Sequence, residues 1–234
     1  MRITEDYLKS IIDSTLLKPS AIPKDVELLC DEAVMIGFGA VCIRPDDVNY
    51  SSMLLHGTDV AVCTVVGFPW GIQKIKSKIN EAYDAVCDGA TEIDMVLNRA
   101  YLKSQDYSML ETEIKSVTNN AKNCVHAKDD VIVKVILETD KLTDDEIIEA
   151  CKISEQAGAD FVKTSTGAYG GATEHHVKLM KQSCNLEVKA SGGIRDWDDA
   201  YKMIMAGATR LGTSGGANIL KTYHNAIRLG SYVI

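Results

Sequence analysis

Short apolar runs alternate with longer amphipathic stretches along the whole chain. The apolar runs lie near residues 11–13, 40–43, 60–66, 92–96, 131–137, 160–163, 186–190 and 209–212. They are rich in Val and Ile and are bounded by glycine, proline or small polar residues, as strands are. Between them, apolar positions recur at helical spacing, as in Val26, Leu28, Leu29, Ala33 and Ile36, with Gly37 and Gly39 closing that stretch. The pattern predicts helices over 4–10, 25–36, 46–56, 72–87, 104–126, 143–157, 173–182, 196–205 and 214–228. Thr4 and Ser214 are expected as caps of the first and last, and Thr143 with Glu146 forms a capping-box pair.

Successive strands end about 22 to 42 residues apart, the length that one strand, one helix and two loops require. Eight such units in 234 residues predict an α/β fold of the TIM (β/α)8 barrel type, preceded by a short N-terminal helix. Most of the strands are apolar on both faces, as in a parallel sheet covered by helices. A doubly wound open sheet usually carries a Gly-rich first turn, and the first strand here has none. No linker or shift in composition interrupts the chain, so one domain over residues 1–234 is expected.

Composition narrows the function classes. A net charge of −8 argues against general nucleic-acid binding, which needs a basic excess. No apolar run approaches the length of a membrane span. The seven cysteines include no CxxC pair, which fits a reducing compartment rather than a disulfide framework or zinc site. A cytoplasmic protein that contacts neither membrane nor nucleic acid is expected.

The candidate chemistry sits at the strand ends, where a barrel places its active site. The sixth strand runs Phe161-Val162-Lys163 and opens at once into Thr164-Ser165-Thr166-Gly167. Asp13, Asp94, Lys134 and Lys189 occupy comparable places on the first, fourth, fifth and seventh strands. Isolated charges inside strands are costly unless they are paired. A lysine amine can attack a carbonyl and form a Schiff base once it is neutral, and a neighbouring cation favours the neutral form. Lys163 is therefore the expected nucleophile, Lys189 the neighbouring cation, and Asp94 a proton carrier acting through a water. Ser191-Gly192-Gly193 after the seventh strand and Gly212-Thr213-Ser214 after the eighth form an expected anion pocket, which Thr166-Gly167 can reach. Cys42 ends the second strand and is a candidate pocket residue. His175-His176 reads as a solvated pair, and Phe68 and Trp70 beside Pro69 as loop packing.

The segments IDSTLLKP (12–19), VCI (41–43), VGFP (66–69), EIDMVLN (92–98), KVILET (134–139), FVKTSTG (161–167), VKASGGIR (188–195) and RLGTS (210–214) occur in this order. Together they resemble the deoxyribose-phosphate aldolases over nearly the whole length. The resemblance implies a class I aldolase, a lyase that reversibly cleaves 2-deoxy-D-ribose 5-phosphate to acetaldehyde and D-glyceraldehyde 3-phosphate, with no metal and no cofactor. It implies Lys163 as the Schiff-base lysine, Lys189 as the lysine that perturbs it and Asp94 as the proton relay. Asp13, Cys42 and Lys134 match positions around the substrate. Gly167, Ser191 to Gly193 and Gly212 to Ser214 match the phosphate loops. Some members carry a lysine after the Thr-Gly pair, where this chain has Ala168. Some carry a C-terminal tyrosine that aids proton transfer, for which Tyr232 is the candidate. The remaining readings are another phosphosugar barrel enzyme and a phosphosugar-binding protein without turnover. Barrels of this size often form a homodimer or a higher homo-oligomer.

Overall fold

All eight apolar runs form strands, and their pairing closes. The computed structural model describes residues 3–125, 127 and 130–229. The strands are β1 (Ile12–Leu16), β2 (Ala40–Ile43), β3 (Ala61–Val66), β4 (Glu92–Val96), β5 (Ile132–Ile136), β6 (Phe161–Lys163), β7 (Glu187–Ser191) and β8 (Arg210–Thr213). Each pairs in parallel with the next, and β8 pairs with β1, giving a closed barrel. The helices are α1 (Glu5–Ser10), α2 (Pro23–Ile36), α3 (Val48–Leu54), α4 (Ile75–Cys87), α5 (Arg99–Lys103), α6 (Tyr107–Lys122), α7 (Asp144–Gln156), α8 (Glu174–Ser183), α9 (Trp197–Ala206) and α10 (Gly216–Arg228). This is the TIM (β/α)8 architecture, with α1 ahead of the first strand.

The strand residues that face outward pack with the helices into one large apolar core. Inside the barrel Cys42, Cys63 and Val65 form a separate small cluster, with Leu17 and Phe68 packed against it. The rest of the interior differs from the branched aliphatic layers usual in this fold. It is charged.

Four helix boundaries depart from expectation for local reasons. The stretch 104–126 is not one helix. Gln105 adopts a left-handed backbone (φ 58°), and Asp106 caps α6 by accepting from Met109 N at 3.2 Å. The extra helix α5 is capped by Asn98, which accepts from Ala100 N at 3.0 Å. His126, the expected end, lies outside the described residues. Residues Pro45–Asp47 form a single 3-10 turn before α3, and α4 begins at Ile75 rather than at 72. Ser214 does not cap α10. The cap position is Gly215, whose N–H goes to Thr213 Oγ1 at 2.9 Å. The Thr4 cap and the Thr143–Glu146 capping box both form.

One buried ion pair lies outside the barrel and ties its rim together. Lys78 on α4 is fully buried and spends all three donors: on Gly71 O (2.7 Å), Val96 O (2.7 Å) and Glu113 Oε1 (2.8 Å). Glu113 Oε2 accepts from Asn98 N at 2.8 Å. The loops after β3 and β4 are thus both fastened to helices α4 and α6. Gly71 cannot carry a side chain here, because a Cβ would lie 2.2 Å from Leu97 O. Replacing Lys78 by Met strands the Glu113 carboxylate and two carbonyls, and is expected to cost about 3–5 kcal/mol. Urea unfolding measures this, and a loss below about 1 kcal/mol would contradict the role assigned to the pair.

Candidate active site

Strand alternation turns Asp13, Glu92, Asp94, Lys134, Lys163, Lys189 and Arg210 into the barrel, where they form one ionic lattice. Asp94 is its centre. Its Oδ2 accepts from Lys163 Nζ and Lys189 Nζ, each at 2.7 Å. Its Oδ1 accepts from Lys134 Nζ at 2.9 Å and from the Cys63 thiol at 3.2 Å. Lys134 also meets Glu92 at 2.5 Å. Lys189 is paired with Asp13 as well. Arg210 closes the lattice with Asp13 Oδ1 at 2.8 Å and Glu92 Oε1 at 3.1 Å. The register explains the grouping: Asp94 is level with Lys134, Lys163 with Lys189, and Lys189 with Arg210.

Asp13, Asp94, Lys134 and Lys189 stay ionised because their partners outweigh the cost of burial. Burial works against the Asp94 carboxylate, but Lys134, Lys163 and Lys189 together hold it well below the usual carboxylate range. The same balance holds Asp13 down to about 2, through Lys189, Arg210 and Lys134. Burial also opposes the Lys189 ammonium, yet Asp13 and Asp94 raise it well above an ordinary lysine. Lys134 is raised too, by Asp94, Cys63 and Glu92 against the same burial cost. Burial, with help from Cys42 and Asp94, pushes the Cys63 thiol well up, so it stays a proton donor.

A cavity of about 1260 Å³ opens above the lattice at the carboxyl ends of the strands. Lys163 is the one lattice member among its lining residues, and it is only 3% exposed. Asp94, Lys189, Asp13, Lys134 and Cys42 lie beneath the floor, buried and absent from the wall. The structure joins Lys163 and Lys189 through Asp94, which each of them contacts directly. Thr166, Gly167, Ser191, Gly192, Gly193, Gly212, Thr213 and Ser214 all line the cavity, together with Lys18, Arg44 and Arg195. Phe68 and Pro69 form part of its wall, whereas Trp70 is half exposed and outside it.

The hydroxyl groups around the pocket are mostly committed to the protein. Ser191 Oγ donates to Ser165 O at 2.6 Å, and Thr213 Oγ1 to Ile194 O at 2.6 Å. Thr166 Oγ1 donates to Glu138. A hydroxyl has one proton to give, so these three shape the loops rather than offer protons to a ligand. Ser214 is exposed at the mouth, and its hydroxyl has no partner among the described residues. Gly167, Gly192 and Gly193 have positive φ. Gly171 and Gly192 pack backbone on backbone, each leaving no room for a Cβ, with Ala172 N bonded to Gly192 O at 3.0 Å. The concavity suits an anion.

Sequence reasoning passed over Glu92, Arg210, Cys63 and Glu138. The first two carried a readable signal, since Glu92 lies two residues before Asp94 and Arg210 two before Gly212, on the same strand faces. His175 meets Asp144 at 2.9 Å on the surface, away from the lattice. The donor atoms of Cys42, Cys63 and Asp94 come within 4.8 Å of one another, the spacing of a metal site. Both Asp94 oxygens are already engaged by ammonium groups, so the lysines fill the place a cation would take. Tyr232 lies outside the described residues.

Acid is expected to dissolve the lattice. Between the ordinary carboxylate value of 3.8 and the folded Asp13 value of about 2, the unfolded chain binds protons that the folded chain refuses. Stability therefore rises with pH across that window and is lost as pH falls through it. Thermal melts should show Tm falling steeply below about pH 4, with a shallower slope in Asp13→Asn. A Tm independent of pH in that range would contradict the ionised lattice.

Comparison with known proteins identifies the family. The profile of the DeoC/LacD family aldolases matches residues 10–225. A deoxyribose-phosphate aldolase of Thermoanaerobacter pseudethanolicus is 50% identical over 220 residues, covering 93% of this chain and 97% of that protein. One of Caldanaerobacter subterraneus subsp. tengcongensis is 51% identical over 219 residues, covering 92% and 93%. The solved structure of a tetrameric deoxyribose phosphate aldolase from Aeropyrum pernix superposes with a TM-score of 0.86 at 35% identity, over 94% of this chain and 92% of that one. By sequence and by fold, the chain belongs to the DeoC/LacD family of aldolases.

Proposed function

We propose that this chain is a class I deoxyribose-phosphate aldolase that cleaves 2-deoxy-D-ribose 5-phosphate to acetaldehyde and D-glyceraldehyde 3-phosphate, and runs the reverse addition, through a Schiff base on Lys163. The observation that carries this reading is that Lys163 alone joins the ionic lattice to the cavity. The lattice sets four cations (Lys134, Lys163, Lys189, Arg210) against three carboxylates (Asp13, Glu92, Asp94). Lys163 must give up its proton before it can act as a nucleophile. The neutral amine then attacks the C1 carbonyl of the open-chain sugar, and loss of water with return of one proton leaves an iminium ion. A base takes the proton of the C3 hydroxyl, and the electrons of the C2–C3 bond flow into the iminium. Glyceraldehyde 3-phosphate departs and an enamine remains. Protonation at C2 and hydrolysis release acetaldehyde and restore the amine.

Asp94, in direct contact with Lys163, is the group suited to move protons to and from the lysine. Lys189 holds the position of Asp94 and keeps a fixed positive charge beside the reacting nitrogen. Asp13, Lys134 and Cys42 act from below the floor as supports. The phosphate is assigned to the loops at Gly167, at Ser191–Gly193 and at Gly212–Ser214, through main-chain amides and the Ser214 hydroxyl. Lys18 and Arg195 supply positive charge at the rim. The reading takes no metal or other cofactor. A homo-oligomer in the cytoplasm is part of it: the Aeropyrum pernix relative is tetrameric, and all seven cysteines are free thiols.

Borohydride reduction in the presence of acetaldehyde should attach a two-carbon adduct to Lys163, located by peptide mass spectrometry. Lys163→Ala should lose the adduct and at least about a thousandfold in kcat. An adduct on another lysine, or full turnover in that variant, would remove Lys163 from the mechanism. Lys189→Met should also cut kcat, by about a hundredfold or more, while EDTA leaves turnover intact.

A further inference from the structure

Glu138 is a fully buried carboxylate just past the end of β5. Its backbone is left-handed, φ 60° and ψ 60°, an uncommon conformation for a residue with a long side chain. Such backbones persist where the surroundings enforce them, often beside functional sites. Here Leu137 N donates to Lys163 O and Thr139 N to Thr164 O, each at 2.9 Å. Glu138 is therefore clamped between two main-chain bonds to the strand end that carries Lys163. Its carboxylate crosses to one residue, Thr166. It accepts Thr166 N at 3.2 Å on Oε2 and 3.4 Å on Oε1, and also the Thr166 hydroxyl. No cation pairs with it among the described residues.

Thr166 passes the constraint on. Its hydroxyl oxygen accepts from Ala168 N at 3.1 Å. The donors of Thr166 and Ala168 are thus turned inward, on either side of Gly167. Gly167 sits between them at φ 84°, and its amide has no partner among the described residues. Thr166, Gly167 and Ala168 line the cavity, whereas Glu138 does not. A carboxylate that consumed these donors at random would weaken an anion site. Here Glu138 takes the Thr166 amide and the Thr166 hydroxyl takes the Ala168 amide, which fixes the turn and leaves the central one for the ligand.

We infer that Glu138 is a positioning residue: through Thr166 it sets the β6 turn so that the Gly167 amide is presented to the phosphate of the sugar. The inference rests on the aldolase reading for the identity of the ligand, and assigns this chain's β6 loop a shaped backbone donor where Ala168 supplies no cation.

The test compares KM and kcat for 2-deoxyribose 5-phosphate and for unphosphorylated 2-deoxyribose. Glu138→Gln keeps the shape but brings an NH2 group against the Thr166 donors. It is expected to raise KM about tenfold for the phosphorylated sugar, with kcat within about threefold and KM for the unphosphorylated sugar unchanged. Thr166→Val should reproduce that shift, and the double variant should add nothing to it. Thr166→Ser, which retains the hydroxyl, should keep the wild-type ratio of the two KM values. An unchanged ratio in Glu138→Gln, or equal losses with both sugars, overturns the inference. Should Glu138→Gln fail to fold, an unchanged ratio in Thr166→Val overturns it alone. If the wild-type chain turns over neither sugar, the aldolase reading falls by itself. Affinity for inorganic phosphate, by calorimetry on the same variants, then decides this one: about tenfold weaker binding in Glu138→Gln supports it, and equal binding refutes it.

Discussion

The Asp94 carboxylate is the contact on which the rest depends. Two lysines share one of its oxygens, and a third lysine and a thiol share the other. Most barrels of this class fill their interior with branched aliphatic side chains. This one fills much of it with opposed charges. A charge in that interior is tolerable only while its partners stay in place. Each strand that contributes a lysine is consequently held in register by the acid it meets, and the pocket floor inherits its shape from that requirement.

The lattice also separates support from chemistry. Lys134, Lys189 and Arg210 are each saturated by carboxylates and remain below the floor. Lys163 shares Asp94 with Lys189 but reaches the cavity. The geometry thus singles out one amine from the four cations of the lattice, without any difference in residue type between the three lysines.

Above the floor, acidic side chains serve a different purpose. Glu81 accepts from Gly67 N at 2.9 Å, Glu113 from Asn98 N at 2.8 Å, Glu138 from Thr166 N at 3.2 Å and Asp199 from Arg195 N at 3.0 Å. Each holds the first turn after a strand by a main-chain donor. Charge-assisted bonds of this kind are strong and directional. They give the rim loops a fixed form while leaving other amides for a ligand. The committed hydroxyls of Ser191, Thr213 and Thr166 belong to the same scheme, so residues that read in the sequence as ligand contacts are in part loop braces.

Much of this was legible in the chain itself. Short apolar runs bounded by glycine, proline or small polar residues located all eight strands, and their spacing implied the barrel. A lysine flanked by apolar residues at a strand end is costly enough to mark Lys163, Lys189 and Lys134, and strand alternation would have added Glu92 and Arg210. Local signals failed where a cap or a left-handed residue such as Gln105 cut a helix. They failed more completely for partners. Lys189 and Asp13 are 176 residues apart, and which carboxylate meets which ammonium is settled by barrel closure and strand stagger. Glu138 likewise carries no periodic signal, because its role comes from the turn of its own backbone across β6. Residue types and their spacing along the chain therefore determined the elements and the kind of chemistry. Tertiary structure decided which charges neutralise one another, which lysine reaches the cavity and which donors remain for a ligand, because those depend on distances between strands that sequence order does not encode.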